Sequence, residues 1–329
     1  MAIIIGLSMY KYVFLTVIFV LLFFLSINYG GSDLSLAEAL SNEEYAEVFW
    51  DIRLPRVLNA ILVGCLLAVS GVAFQAVFQN PLVSPDLLGA SSGAALGTLL
   101  LLMCGISGLW LPLGALAVGG CVTLICVTVA WLINRRGRFN QLILILTGIL
   151  ISSLIVSFIN ILHYFMPDEG TLLGATGFLM GTLNGLGYRD LMIQGVFGGP
   201  ALVLMYIFAR KLNLLVLPSE VLEVQGINTR ALFIFILILA SVASCSTVAV
   251  AGIIGWVSLI IPNFARMWAG GDHRTLLPLS AIMGSNFVLA ADLLSRTVTD
   301  VEIPIGILIG IIGAPMFLVI MARNIRWEA

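Results

Sequence analysis

Apolar residues in this chain are gathered into long runs, and most polar and charged residues fall in the gaps between them. A helix that crosses a bilayer needs roughly 20 consecutive apolar residues. That length predicts ten helices, over about 9–28, 54–78, 88–106, 111–133, 141–165, 191–209, 230–250, 254–269, 277–295 and 304–322. Two of these runs have irregular boundaries. The stretch 251–271 is interrupted by Pro262, and 229–259 is almost continuous, with Gly252 and Gly255 marking its turning point. The expected fold is therefore all-α, a polytopic membrane protein of about ten transmembrane helices forming one domain over 1–329.

The gaps set an orientation. With the N-terminus inside, Lys11, Arg135, Arg136, Arg138, Arg210, Lys211, Arg230, Arg266, Arg274, Arg323 and Arg326 fall on the inner side, and only Arg53, Arg56, Arg189 and Arg296 on the outer. Cytoplasmic loops carry the excess of Lys and Arg, so both termini are expected in the cytoplasm. The outer gap 30–51 is acidic, with Asp33, Glu38, Glu43, Glu44 and Glu47. A second outer gap, 167–190, is too apolar for a plain connection and predicts a short helix over 171–183 that re-enters the membrane or lies on its surface.

Composition agrees with lipid as the main solvent. Hydrophobic residues make up 60% of the 329 positions and charged residues 10%, against roughly 25% charged in soluble domains; the mean hydropathy is +1.13. A net charge of −2 gives no reason to expect nucleic acid. Cys65, Cys104, Cys121, Cys126 and Cys245 all sit inside apolar runs, without the close pairing of a metal site or a disulfide framework, and read as packing residues. The run 11–28 follows one positive charge but has no clear small-x-small cleavage site, so it reads as a retained first helix. No G-x-x-x-x-G-K-[ST] phosphate loop is present, which places any ATP-derived energy on another chain.

Three groups of residues carry a family resemblance. The first is Ile52-Arg-Leu-Pro-Arg56, Gly64, Ser70-Gly71, Gln75, Asn80-Pro81-Leu82 and Leu88-Gly89-Ala-Ser-Ser-Gly93-Ala94. The second is Gly252-Ile-Ile-Gly255, Ile261-Pro262, Ala265-Arg266, Gly271-Asp272-His273-Arg274 and Leu277-Pro278-Leu-Ser280. The third is Ala291-Asp292, Arg296, Glu302-Ile-Pro304-Ile-Gly306 and Gly313-Ala-Pro315. Together they resemble the signatures of FecCD-type permeases, which serve ABC importers of iron-siderophores, haem and cobalamin, with molybdate and tungstate relatives.

The resemblance implies a ten-helix subunit without catalytic residues, cofactor or metal of its own. It implies pairing with a second permease copy or a close homologue, two cytoplasmic ATPase subunits that bind ATP and Mg, and a periplasmic or lipid-anchored substrate-binding protein, in a bacterial inner membrane. Arg53, Arg56 and Arg296 would receive acidic side chains of that binding protein, since guanidinium grips carboxylate through a rigid two-pronged hydrogen bond. Asp292, four residues before Arg296, also predicts an intrahelical ion pair. The inner segment 217–228, with Ser219 as a candidate N-cap and Glu220, Glu223, Gln225 and Gly226, would hold the helices that couple to the ATPase; Pro218 stands where the family has glycine.

Other features follow from the residues themselves. Asn80-Pro81 and Ser84-Pro85 break helix geometry and predict a structural turn between spans two and three. Asn263 stands where the family has histidine after the proline; its amide can satisfy carbonyls freed by Pro262, without a titratable imidazole. Gly64, Ala68, Gly71, Gly93 and Gly97 predict close helix contacts. Thr147, Ser152, Ser153, Ser157 and Asn160 make span five the most polar membrane helix. Thr147, Ser153, Ser157 and Asn160, with Leu173 and Met180 of the 171–183 helix, are the candidate pathway and outer gate, which the family places at its dimer axis. A gradient-driven transporter would usually carry ionisable groups within the membrane; only Asp292 and His163 come close, near its edges. A membrane enzyme would need a His, Asp or Glu cluster that the spans lack. The expected cargo is a metal chelate, with a molybdate or tungstate oxyanion as the alternative.

Overall fold

The computed structural model describes residues 2–30, 46–106, 108–133, 141–166, 169–215, 217, 222 and 228–328. Its helices are α1 (Ala2–Asn28), α2 (Leu54–Phe78), α3 (Ala90–Met103), α4 (Trp110–Ile133), α5 (Gln141–Tyr164), α6 (Glu169–Met180), α7 (Tyr188–Ile207), α8 (Ala209–Leu214), α9 (Thr229–Ala251), α10 (Val257–Ala269), α11 (His273–Thr297) and α12 (Ile305–Glu328). A wide-turned stretch Val48–Arg53 runs directly into α2, and a tight 3-10 turn Pro85–Leu88 precedes α3. Below, "outer" denotes the face to which the charge distribution assigns Arg53, Arg56 and Arg296.

Each predicted apolar run coincides with a helix, but the helices differ in reach. Seven are long and apolar enough to cross a membrane, the stretches Tyr10–Asn28, Val48–Phe78, Trp110–Ile133, Leu142–Tyr164, Tyr188–Ile207, Thr229–Ala251 and His273–Thr297. The runs 88–106 and 254–269 are corrected to shorter helices, 14 residues in α3 and 13 in α10. At 1.5 Å per residue neither spans a 30 Å hydrocarbon layer. Pro85 and the left-handed Gly89 (φ +73°) delay the start of α3, and the unwound stretch 252–256 takes the first residues expected of α10.

The centre of the fold is the pair α2 and α11, the most extensively packed helices of the chain. Glycine makes the pairing possible: a Cβ on Gly64 would lie 2.2 Å from the Gly284 carbonyl oxygen, and one on Gly284 2.3 Å from that of Gly64. Close backbone approach at small residues is how helices associate where lipid removes any hydrophobic drive between them. The same device joins α3 to α4, with Gly97 against the Gly114 carbonyl and Gly93 against Gly119. Around this centre α9 packs on α2, α4 and α7, and α1 leans on α11, where Asn286 Nδ2 donates to the Leu15 carbonyl at 3.1 Å.

Caps fix the helix ends. Asn228 Oδ1 accepts from Ala231 N at 3.0 Å to begin α9, and Asp272 Oδ1 from Arg274 N at 3.0 Å to begin α11, as short polar side chains do at N-caps. Lys11 Nζ donates to the Trp268 carbonyl at 2.6 Å, placing a cation at the negative end of α10. At the end of α2, Gln79 adopts a left-handed conformation (φ 48°) and Asn80 N returns to the Gln75 carbonyl at 3.1 Å, a helix stop that usually selects glycine.

Candidate functional site

The outer ends of α1, α2 and α11 converge on a buried charge network. Arg56 donates Nε to Asp292 Oδ1 at 2.9 Å and grips Glu302 with both terminal nitrogens at 2.9 and 3.0 Å. Arg296 donates Nε to the other Asp292 oxygen at 3.0 Å, the intrahelical pair that the four-residue spacing predicts. Its remaining nitrogens reach the Tyr29 carbonyl at 3.0 Å and the Ser26 carbonyl at 2.8 Å. Arg53 NH1 reaches the Ile27 and Asn28 carbonyls at 3.1 and 3.2 Å. The last carbonyls of a helix have no partner within it, so these two arginines close the end of α1.

This geometry differs from three arginines held out toward a partner. Arg53, Arg56 and Arg296 are 6%, 7% and 6% exposed, and their arms point into the chain. Asp292 has no exposure at all. The sequence signals Asp292 through its spacing from Arg296 but gives no sign that Arg56, 236 positions away, shares it. Glu302 stands in the third motif without any hint that it is the bidentate partner of Arg56. It is the most open member of the network, with about a third of its side chain exposed.

On α5, Ser153, Ser157 and Asn160 form one exposed face, at spacings of four and three residues. Ser157 Oγ spends its proton on the Ser153 carbonyl at 2.9 Å, so its hydroxyl offers that face an acceptor. Thr147 does not join this face. It is buried, beside Gly148, where α5 meets the 3-10 turn and a Cβ would lie 2.2 Å from the Leu87 carbonyl. The helix expected over 171–183 is α6, ending at Met180. It presents Leu173 (72% exposed) and Met180 (41%), seven residues apart on one face. A hydrogen bond ties α6 to α5: Thr176 Oγ1 donates to the Leu172 carbonyl at 2.7 Å, so His163 Nε2 is the donor in its 2.8 Å contact with Thr176.

The far end of α6 is bound through backbone. Thr182 N donates to the Ala251 carbonyl at 2.9 Å, Ile253 N to the Phe178 carbonyl at 3.3 Å, and Gly306 N to the Gly181 carbonyl at 3.4 Å. Three glycines allow the approach. A Cβ on Gly252 would lie 1.9 Å from the Phe178 carbonyl oxygen, one on Gly181 2.4 Å from that of Ile253, and one on Gly306 2.3 Å from that of Met180. Just beyond, Trp256 takes a left-handed conformation (φ 69°) that bulky side chains rarely adopt, with its ring against Phe317.

Toward the inner side, the residues expected to couple to an ATPase, Ser219, Glu220, Glu223, Gln225 and Gly226, lie outside the described residues. Their flanks are defined: Leu215 ends α8 and Asn228 caps α9. The Asn80-Pro81 turn is held by Asn263, whose Nδ2 donates to the Pro81 carbonyl at 2.9 Å and to the Leu259 carbonyl at 2.7 Å. The carbonyl that Pro262 strips of its helical partner is that of Ser258, four residues back, and it faces Gly71, where a Cβ would lie 1.9 Å away. Asn263 thus secures the turn; the freed carbonyl is accommodated by a glycine. In the 3-10 turn, burial raises the Asp86 carboxyl above the usual range, opposed by the Ser91 and Ser84 hydroxyls, and nothing in the sequence motifs singled it out.

Comparison with known proteins agrees with this architecture. The FecCD transport family matches residues 18–323. The hemin transport system permease protein HmuU of Yersinia pestis is 37% identical over 319 residues, covering 94% of this chain and 95% of its own length. The molybdate import system permease protein MolB of Haemophilus influenzae is 34% identical, covering 84% of this chain and 81% of its own. Among solved structures, an inward-facing ABC transporter assigned to the metal-chelate type superimposes with a TM-score of 0.83 at 31% identity, over 94% of this chain and 97% of that one. With the motifs, the helix order and a match over nearly the whole length in agreement, this chain belongs to the FecCD transport family of ABC permeases.

Proposed function

We propose that this chain is the transmembrane subunit of a binding-protein-dependent ABC importer for a metal chelate of the haem, iron-siderophore or cobalamin kind. The observation that carries the reading is the likeness to a hemin permease across 94% of the chain. In this reading two copies form the pathway in a bacterial inner membrane, and two ATPase subunits bind below and supply the ATP and Mg. ATP-driven closure of those subunits alternates access to the cavity. The exposed Ser153, Ser157 and Asn160 face of α5 lines the route, with Leu173 and Met180 of α6 at its outer gate. A weakly polar wall suits a carrier whose selectivity resides in the separate binding protein.

Segment 217–228 meets the ATPase, with Ser219, Glu220, Glu223, Gln225 and Gly226 in that contact. Arg53, Arg56 and Arg296 serve the docked binding protein from the outer ends of α2 and α11. Because their present partners lie within the chain, docking exchanges one of those partners, and Glu302 is the most open to exchange. An incoming carboxylate would take its place on Arg56 with the same two-pronged geometry.

The 34% identity with a molybdate permease supports an oxyanion as the second reading. The test is reconstitution of this chain with the ATPase and binding protein encoded beside it, followed by uptake into proteoliposomes. ATP-dependent accumulation of haemin or a ferric siderophore, and not of molybdate, is the expected result. Accumulation of molybdate alone would replace the metal chelate with the oxyanion, and a particle that retains no ATPase would end the importer reading.

A further inference from the structure

The chain enters segment 217–228 from α8, and α8 is fastened at two points just before it does so. On Asn213, Oδ1 accepts from His273 N at 2.9 Å and lies 2.6 Å from His273 Nδ1, while Nδ2 donates to Asp272 Oδ1 at 2.8 Å. A backbone N–H can only donate, so the Asn213 atom facing it is the oxygen, and the amide nitrogen is left for the carboxylate. The same Asp272 oxygen accepts from Arg274 N at 3.0 Å, so Asn213 holds the cap that starts α11. Two residues later the Leu215 carbonyl accepts from Gln79 Nε2, at the left-handed end of α2. One short helix is therefore tied to the inner ends of both α2 and α11.

Those two helices are the ones whose backbones touch at Gly64 and Gly284, and whose outer ends are joined by Arg56 and Asp292. A pair packed backbone to backbone and pinned by an ion pair cannot shear internally without losing contacts along its length. It responds as one body to a push at either end.

We propose that Asn213 is a positioning residue for energy coupling. With Gln79, it clamps the root of segment 217–228 to the α2–α11 pair, so that displacement of that segment by the ATPase is delivered to the pair as a unit and reaches the outer charge network. The inference rests on the importer reading given above and adds to it the route of transmission.

The test uses the complete complex of this chain, its ATPase and its binding protein, and reads the ratio of binding-protein-stimulated to basal ATP hydrolysis. A ratio is independent of how much complex survives purification, so a loss of yield alone leaves it unchanged. Asn213→Asp sets a carboxylate against Asp272 where an amide donates. It is expected to lower the ratio about 5-fold or more, the lower end of typical coupling between sites, with ATPase retention and binding-protein affinity unchanged. The exchange Asn213→Asp with Asp272→Asn reverses donor and acceptor and is expected to restore the ratio. A wild-type ratio in the single variant, or failure of the exchange to restore it, overturns the proposal. Absence of the ATPase from the wild-type complex removes the importer reading and this inference together.

Discussion

At Asp292 a carboxylate with no solvent exposure accepts from Arg56 through one oxygen and from Arg296 through the other. Removing one partner of a buried pair leaves an uncompensated charge, and the usual cost is about 3–5 kcal/mol. Asp292→Ala leaves Arg296 with carbonyls alone and Arg56 with only Glu302, and is expected to lower the unfolding temperature in detergent markedly. Glu302→Gln, at the solvent edge of the network, should change it far less. Charge reversal of Arg53 and Arg56 is a poor probe of docking, because Arg56→Glu would set a third carboxylate against Asp292 and Glu302. Asp272 behaves differently because it is exposed. The Asn213 amide, and then the Arg274 N–H, hold its carboxyl below the usual range near 3.9. A depressed carboxyl supports the fold above its unfolded pKa and loses that support as pH falls through its folded value. The start of α11 should therefore hold its protection at pH 5 and lose it below about pH 3.9, measurable as a lower protection factor for the Arg274 amide, with exchange taken relative to its intrinsic rate at each pH. In this part of the molecule the sequence made the Asp292–Arg296 pair legible, because spacing on one helix is local information. The Arg56–Asp292 pair and the Asn213 clamp join distant parts of the chain, and no residue pattern reports such a meeting.

Elements show a similar division. Apolar run length located the core of every described helix but the short α8, since the requirement of a bilayer is mostly a requirement of length. It overestimated α3 and α10, because an apolar residue in a tight turn or an unwound stretch counts the same as one in a helix. What shortens them is backbone geometry at Pro85, Gly89 and 252–256. The candidate pathway was legible in part: α5 turns Ser153, Ser157 and Asn160 to one side, whereas Thr147 is buried where α5 meets the 3-10 turn. The junction of Gly181, Gly252 and Gly306 was not legible as a unit, although all three glycines are visible in the sequence. It gives a direct prediction. Gly252 has φ +72° and no room for a Cβ, so Gly252→Ala is expected to cost more than about 1 kcal/mol. The strain falls on the Phe178 carbonyl, so the variant should also expose α6 to limited proteolysis ahead of the rest of the chain. Protection of α6 equal to wild type would mean that the junction does not hold that helix.

For the molecule as a whole, composition and run length established a helical membrane protein, and motif order established its family. The packing that makes it one body rests on glycines that hydropathy scales barely register. Gly64→Leu should act globally, because a side chain has to enter where a Cβ already meets the Gly284 backbone. Overpacking of this kind typically costs about 1–3 kcal/mol or more, and loss of monodisperse protein in size-exclusion chromatography would register it. The contact between Gly64 and Gly284 has a consequence outside mechanics. Two backbones in direct contact at Gly64 and Gly284 leave no gap wide enough for a water molecule there, so no proton wire or hydrated ion can thread between α2 and α11 at that level. At that level the seam is an electrical insulator between the two helices.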